Sequence, residues 1–305
     1  MIKSFKNEFD FMQLKKFPYS DILGWSASRF EKFNSCKRQY YYDYYAKRHD
    51  KEINLTQLNK LRNLTSAALE TGNIAHDVIK SILERLMRSS KPIDHSRLLA
   101  YAENLSDTYC DSKEFHEVFY GYVSQIDKNE IKQKVKDCIA NLISSERFIW
   151  LMEKAVPHSN NWLVEPDGYG ETRLAGLKAY CKVDFLFKLE DKIYIIDWKT
   201  GKEDEIKQAR QLKGYTAFAR DHFNVIAENV VCILFFLKEG REREFLFSTT
   251  EIDEFVDSIR IETDHMYAYT LDTRNNIPLP KNEFTCTENT STCRLCNYRA
   301  LCFPS

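Results

Sequence analysis

The chain has 305 residues, 43% of them hydrophobic and 13% aromatic, enough to bury a sizeable core without disulfide support. Its 44 Lys and Arg against 45 Asp and Glu give a formal charge of −1, which excludes a uniformly basic nucleic-acid coat but not a local basic path. No segment approaches the roughly 18 apolar residues of a membrane span, and residues 1–11 lack a signal-peptide core. The chain therefore reads as cytoplasmic, and its odd count of nine cysteines in a reducing compartment argues against a disulfide framework.

In chain order, Trp25-Ser26-Ala27-Ser28 leads into Phe30, Phe33, Cys36 and Tyr40 at helical spacing, with Ser26 or Ser28 as N-cap. A helix is predicted over 71–87, with Ile74, Val78, Ile79, Ile82, Leu83 and Leu86 as its apolar stripe. Helices over 96–117 and 124–146 follow, so residues 1–150 form a mostly helical part. From 163 to 196 the pattern becomes strand-like, with turns at Pro166-Asp167-Gly168 and Glu190-Asp191. Over 181–189, Cys181, Val183, Phe185, Phe187 and Leu189 share one face and Asp184 lies on the other. A strand over 193–200 puts Asp197 and Lys199 on one side and Trp198 on the other. A helix over 206–220, a buried strand over 230–237, a hairpin partner over 243–248 and a helix capped by Thr250 and Asp253 complete the pattern. The order predicts an α/β protein around one mixed sheet, with a core over 151–270 and a cysteine-rich tail over 271–305.

The chemistry concentrates at Asp184 and Asp197-Trp198-Lys199. If the two strands form a hairpin, they bring two carboxylates together, with a lysine roughly 6.6 Å along the strand from the second. Such oxygen ligands suit Mg²⁺ or Mn²⁺, which polarises a phosphate and lowers the pKa of a bound water. A nearby ammonium orients that water or balances developing charge. Asp-x-Lys alone is a weak signal, since strands often end in a polar pair. His76 offers a nitrogen ligand, although Ile79 and Leu83 beside it also suit a core histidine. Gln211 and Tyr215, four apart, share a helix face that suits phosphate contact or support of Lys199, or simply a partly exposed surface.

Cys293, Cys296 and Cys302 supply three soft ligands from one short segment, and Cys36 or Cys286 could be the fourth. Four thiolates hold zinc or a 4Fe-4S cluster.

Six segments in this order resemble the PD-(D/E)XK nuclease superfamily in its RecB-like, iron-sulfur branch, typified by the nuclease domain of the AddB subunit and the CRISPR-associated adaptation exonuclease. They are residues 28–40 (SRFEKFNSCKRQY), 72–76 (GNIAH), 182–184 (KVD), 197–201 (DWKTG), 211–215 (QLKGY) and 293–302 (CRLCNYRALC). The resemblance implies a restriction-endonuclease-like mixed sheet flanked by helices, all within one integrated nuclease domain. It implies His76, Asp184 and Asp197 as metal ligands with the Trp198 carbonyl, Lys199 as the catalytic lysine, and Gln211 and Tyr215 as support or DNA contacts. It implies a structural 4Fe-4S cluster on Cys36, Cys293, Cys296 and Cys302. Lys37 stands where such proteins usually carry proline, and Cys286 is an extra thiol.

The activity so implied is that of a metal-dependent deoxyribonuclease, an exonuclease on single-stranded DNA or DNA ends in repair, recombination or defence. The alternative is a catalytically silent DNA-binding or assembly subunit of a helicase–nuclease complex. No Gly-x4-Gly-Lys-Ser/Thr run occurs, so any ATP-driven motor is expected to be a partner. Arg29, Lys32, Lys37, Arg38, Lys47 and Arg48, interleaved with Tyr40, Tyr41, Tyr42, Tyr44 and Tyr45, are candidates to line a strand's approach, the tyrosines alternatively serving as packing.

Overall fold

The computed structural model describes residues 13–89, 91–166 and 170–303. The reading of residues 1–11 and the predicted turn residues Asp167 and Gly168 lie outside them. The chain opens with short helices α1 (Ala27–Ser35), α2 (Lys37–Tyr44), α3 (Ala46–His49) and α4 (Leu55–Arg62). The long α5 (Ala67–Arg88) follows, then α6 (His95–Ser112), α7 (His116–Phe119), α8 (Lys128–Ile143) and α9 (Glu146–Trp150). Ser26 caps α1 by accepting from Arg29 N–H, and Ser66 caps α5 by accepting from Leu69 N–H. The predicted 96–117 and 124–146 helices are each split, because Lys113 and Ser145 take extended backbone.

Strands β1 (Leu163–Val164), β2 (Glu171–Leu174), β3 (Leu177–Tyr180), β4 (Phe185–Leu189) and β5 (Lys192–Lys199) come next. Then follow α10 (Glu205–Phe223), β6 (Val230–Phe236), β7 (Arg241–Phe245) and α11 (Thr249–Tyr267). The tail holds β8 (Thr270–Asp272), β9 (Ile277–Pro278), α12 (Thr290–Arg294) and α13 (Arg299–Cys302). Among the described residues the main sheet runs β1-β4-β5-β6-β7. β4 and β5 form the predicted antiparallel hairpin, β5 and β6 are parallel across α10, and β6 returns antiparallel as β7. The sheet is thus mixed and flanked by helices, a restriction-endonuclease-like arrangement.

The two sheet faces bury separate clusters. Phe185, Phe187, Ile196, Trp198, Ile233 and Phe235 pack against the α5, α6 and α8 stripes. Leu186, Ile195, Leu234 and Phe236 pack against α10 and α11, with Leu23 and Trp25 joining from the start of the chain.

Two sequence expectations change. The alternation over 181–189 does not hold as one strand: Cys181 and Val183 join the α10 side while Phe185 and Phe187 face α5. The chain crosses over at Asp184, because β4 begins only at Phe185. The last helix is capped by Ser248 rather than Thr250, with Glu251 reaching back to the Ser248 N–H in a full capping box.

Candidate active site and cysteine pocket

The site forms where β4 begins and β5 ends. The register sets Phe185 opposite Ile196, which places Asp184 beside Asp197 across the hairpin. Trp198 N–H donates to Asp184 Oδ2 at 3.1 Å. From the other side of the sheet, α5 brings His76 in, its Nε2 2.9 Å from the Trp198 carbonyl and its Nδ1 3.6 Å from Asp184 Oδ2. Gly72, one turn earlier, lies close to the strand end: a Cβ there would meet Thr200 Oγ1 at 3.0 Å. The helix therefore crosses β5 closely enough for the imidazole to reach it.

Asp197 is 1% exposed, and the groups around it come from the end of β5 and from α10. Lys199 Nζ lies 2.5 Å from its Oδ2 as an ion pair, and donates to Gln211 Oε1 at 2.9 Å. The Gln211 amide donates to the Tyr215 hydroxyl at 2.5 Å and to Asp197 Oδ1 at 3.4 Å. The Tyr215 hydroxyl lies 2.8 Å from the Lys182 carbonyl and 3.0 Å from Asp197 Oδ1. Asp197 Oδ2 is buried against the Lys199 ammonium, which favours its ionised form both as a charge and as a donor. The structure thus brings together His76, Asp184, Asp197, Trp198, Lys199, Gln211 and Tyr215 from three elements.

Environment drives the two carboxylates apart. Burial, then the charge of Asp184, raises Asp197 to about 6 despite Lys199. Burial also opposes ionisation of Asp184, but His76 and the Trp198 N–H outweigh it and hold its pKa below the ordinary value. His76 is raised: burial would lower it, and Asp184 chiefly overcomes that. Burial and the two aspartates push the Tyr215 hydroxyl far up, so it acts as a donor.

One pair beside the site escapes sequence reasoning. Lys80 lies one turn after His76 and pairs with Glu165 at 3.5 Å. The Glu165 N–H donates to the Asp184 carbonyl at 2.8 Å, and Glu165 adopts a left-handed φ of 40°. The i+4 spacing from His76 was a usable signal for Lys80; nothing local marked Glu165.

The cysteines converge elsewhere. Cys36, Cys286, Cys293, Cys296 and Cys302 line one cavity together with Tyr42 and Tyr298. Cys36 sits at the break between α1 and α2, its sulfur accepting from Gln39 N–H, so Lys37 starts a new helix without proline. Arg38 holds the tail in place through its N–H to the Thr285 carbonyl and its Nε to the Phe284 carbonyl, at 3.0 and 2.7 Å. Burial pushes the Cys296 thiol to about 11 and, with Cys286 and Cys296 adding to it, the Cys302 thiol to about 12. Among the described residues no group of three or more His, Cys, Asp or Glu side chains is arranged as a closed metal site, at either centre.

The basic and aromatic segment of α1–α3 is largely consumed by packing. Tyr40, Tyr41, Tyr42 and Tyr45 are buried. Arg29 lies over the Tyr40 and Tyr44 rings, Lys32 pairs with Asp43, and Lys37 caps the Phe33 carbonyl. These tyrosines cannot stack on bases, because their rings already fill the core between α2 and the tail.

A family model described as the PD-(D/E)XK nuclease superfamily matches residues 24–303. A solved structure described as SSO0001 is similar over 61% of this chain and 78% of that one, at 14% identity and a TM-score of 0.26, a likeness too low to carry an argument. None of the curated proteins matches the chain. Among the described residues no helix is long and apolar enough to cross a membrane.

Proposed function

The chain belongs to the PD-(D/E)XK nuclease superfamily, and from that premise we propose that it hydrolyses phosphodiester bonds of DNA with a divalent metal ion, as an exonuclease on single strands or free ends. The observation that carries this reading is the convergence of Asp184, Asp197 and Lys199 at one strand crossing, with His76 and Gln211 reaching in from opposite faces of the sheet.

Nucleases of this superfamily typically use Mg²⁺ or Mn²⁺, and the donors suit either. They are two carboxylates, one imidazole and the Trp198 carbonyl, and the buried Asp197 Oδ2 faces the Lys199 ammonium, leaving a lone pair for a cation. Asp184, Asp197, His76 and the Trp198 carbonyl would hold the ion. When bound, it polarises the phosphate and makes water a better nucleophile.

The protein's own groups do the rest. Lys199, held by Gln211, places an ammonium where negative charge develops on phosphorus. Tyr215 and Gln211 fix Asp197 Oδ1, so the carboxylate's other oxygen is left to the Lys199 ammonium. His76 keeps Asp184 ionised by facing it.

For the cysteine pocket we adopt a structural 4Fe-4S cluster on Cys36, Cys293, Cys296 and Cys302. Neighbouring thiols raise one another's pKa, and so crowded a set ionises together only around a cation. Such a cluster would lock the tail against α2 within one integrated nuclease domain. A helicase would be a separate partner, and repair, recombination and defence are the settings that fit.

The test is cleavage of end-labelled single-stranded DNA by anaerobically purified protein with Mn²⁺ or Mg²⁺. Lys199→Ala should lower the rate by about a hundredfold or more in a protein that stays folded at the assay temperature, as read by circular dichroism. Wild-type activity in that variant removes Lys199 from the mechanism. A folded wild type that never cleaves points instead to a silent DNA-binding or assembly subunit.

A further inference from the structure

A cavity of about 890 Å³ opens between the start of α1, the first turns of α10 and the crossing segment at Tyr180–Lys182. Its size is ordinary for an organic ligand. Its inner wall is Gln211 and Tyr215, the same two side chains that hold Lys199 and Asp197. Whatever fills it therefore lies beside the proposed scissile phosphate.

The remaining walls mix aromatic side chains, Trp25, Phe30 and Tyr180, with polar and charged ones such as Ser26, Asn34 and Arg210. Trp25 extends β3, with its N–H on the Lys178 carbonyl and its carbonyl taking the Tyr180 N–H, both at 2.8 Å. Tyr180 packs closely against Gly24: a Cβ on Gly24 would come within 2.2 Å of the ring. Phe30 is half-buried opposite. Ile206, on the first turn of α10, also lines the cavity and is 85% exposed.

The charges around the cavity point to an anionic strand. Lys182 is exposed at the rim, two residues before Asp184. The other charged groups nearby are spoken for: Lys207 pairs with Glu31, Arg210 with Glu262, and Asp204 caps α10.

We propose that this cavity is a nucleobase subsite: the base next to the cleaved linkage leaves the stack and packs on Tyr180 and Phe30, while Lys182 holds its phosphate. The subsite rests on the nuclease reading and specifies its substrate, because only an unpaired base can enter. Single strands are then favoured over duplex ends by the cavity itself rather than by a partner. Stacking of bases on aromatic side chains tolerates any sequence, so no base preference is expected.

The experiment separates this inference from the nuclease reading by measuring binding without turnover. The protein, purified anaerobically with whatever its cysteines hold and kept free of added Mg²⁺ and Mn²⁺, is titrated with a fluorescein-labelled oligothymidylate, with the matching duplex, and with a single-stranded oligomer carrying consecutive abasic sites. Tyr180→Ala should weaken single-strand binding about fivefold or more, while Tyr180→Phe binds as wild type. Abasic sites should cost the wild type a similar factor and Tyr180→Ala much less. Ile206→Asp, a change at an exposed position that leaves the fold alone, should also weaken binding, and Ile206→Lys should strengthen it. Equal binding by wild type, Tyr180→Ala and Ile206→Asp overturns the subsite, even if the protein cleaves DNA. Tyr180-dependent binding by a protein that never cleaves keeps the subsite and removes the nuclease.

Discussion

At the carboxylate centre Asp197 keeps Lys199 at 2.5 Å and Tyr215 at 3.0 Å, whereas in the cysteine pocket the neighbours of Cys293 and Cys302 are chiefly other thiols. The first region answers its buried charge from within, by an ammonium, an amide and a phenol on adjacent elements. The second has Gln39 N–H at Cys36, the Tyr298 backbone at Cys296, the Tyr42 hydroxyl at Cys302 and its own sulfurs, with Arg38 a weaker influence on Cys302. A buried group that carries its counter-charge can stand alone, while crowded thiols stay protonated until a cation arrives. The carboxylate centre is therefore expected to survive chelation with its geometry intact, and the tail is expected to depend on what the cysteines hold.

The sharpest way to break that contrast is to remove thiols singly. Cys36→Ser, Cys293→Ser, Cys296→Ser and Cys302→Ser should each lose visible absorbance near 400 nm and iron content, and should melt well below the wild type. Cys286→Ser should keep both if Cys36 is the fourth ligand and lose both if Cys286 is, since Cys286 lines the same cavity and its thiol faces Cys302. A colourless wild type carrying stoichiometric zinc would keep the contrast but replace the cluster.

Tail docking can be weakened without touching a thiol. Phe284 is fully buried among Tyr41, Tyr45 and Tyr269. Phe284→Ala should cost about 3–5 kcal/mol in denaturant unfolding, with faster proteolysis of the tail. A cost under about 1 kcal/mol would mean that the ligands alone hold it.

At the other centre the effects are smaller and depend on pH. Asp197 titrates near 6 in the fold, above its unfolded value, so its contribution to stability is full below the unfolded pKa and lost as pH rises through about 6. Asp184 is depressed, so its contribution is present above the unfolded value and lost as pH falls. In chelator at pH 7, Asp197→Asn should thus stabilise the fold by on the order of 2 kcal/mol while abolishing cleavage. The gain should vanish at pH 4. A destabilised Asn variant at pH 7 would show that the Lys199 pair outweighs burial. The smallest effect belongs to Tyr215→Phe, which removes one donor from Asp197 and the Lys182 carbonyl. It should cost about 1 kcal/mol of stability and raise the Asp197 pKa, read as a shifted pH–rate profile.

Much of this was legible in the chain itself. The apolar stripe from Ile74 to Leu86, the hairpin about Glu190-Asp191 and the run 230–236 follow from periodicity, which depends only on near neighbours. Asp197 and Lys199 share a side because strands alternate, and Gln211 and Tyr215 because helices repeat near every fourth residue. What tertiary structure alone decided is where these faces meet. Whether His76 was core or site depended on how closely α5 crosses β5 at Gly72. The tyrosines of α2 turned inward because Phe284, more than two hundred residues later, closes over them. Glu165 and the Tyr180 cavity carry no local mark at all, since both arise where the chain leaves one strand and crosses to another. Local spacing specifies which side chains travel together; only long-range packing specifies what they face.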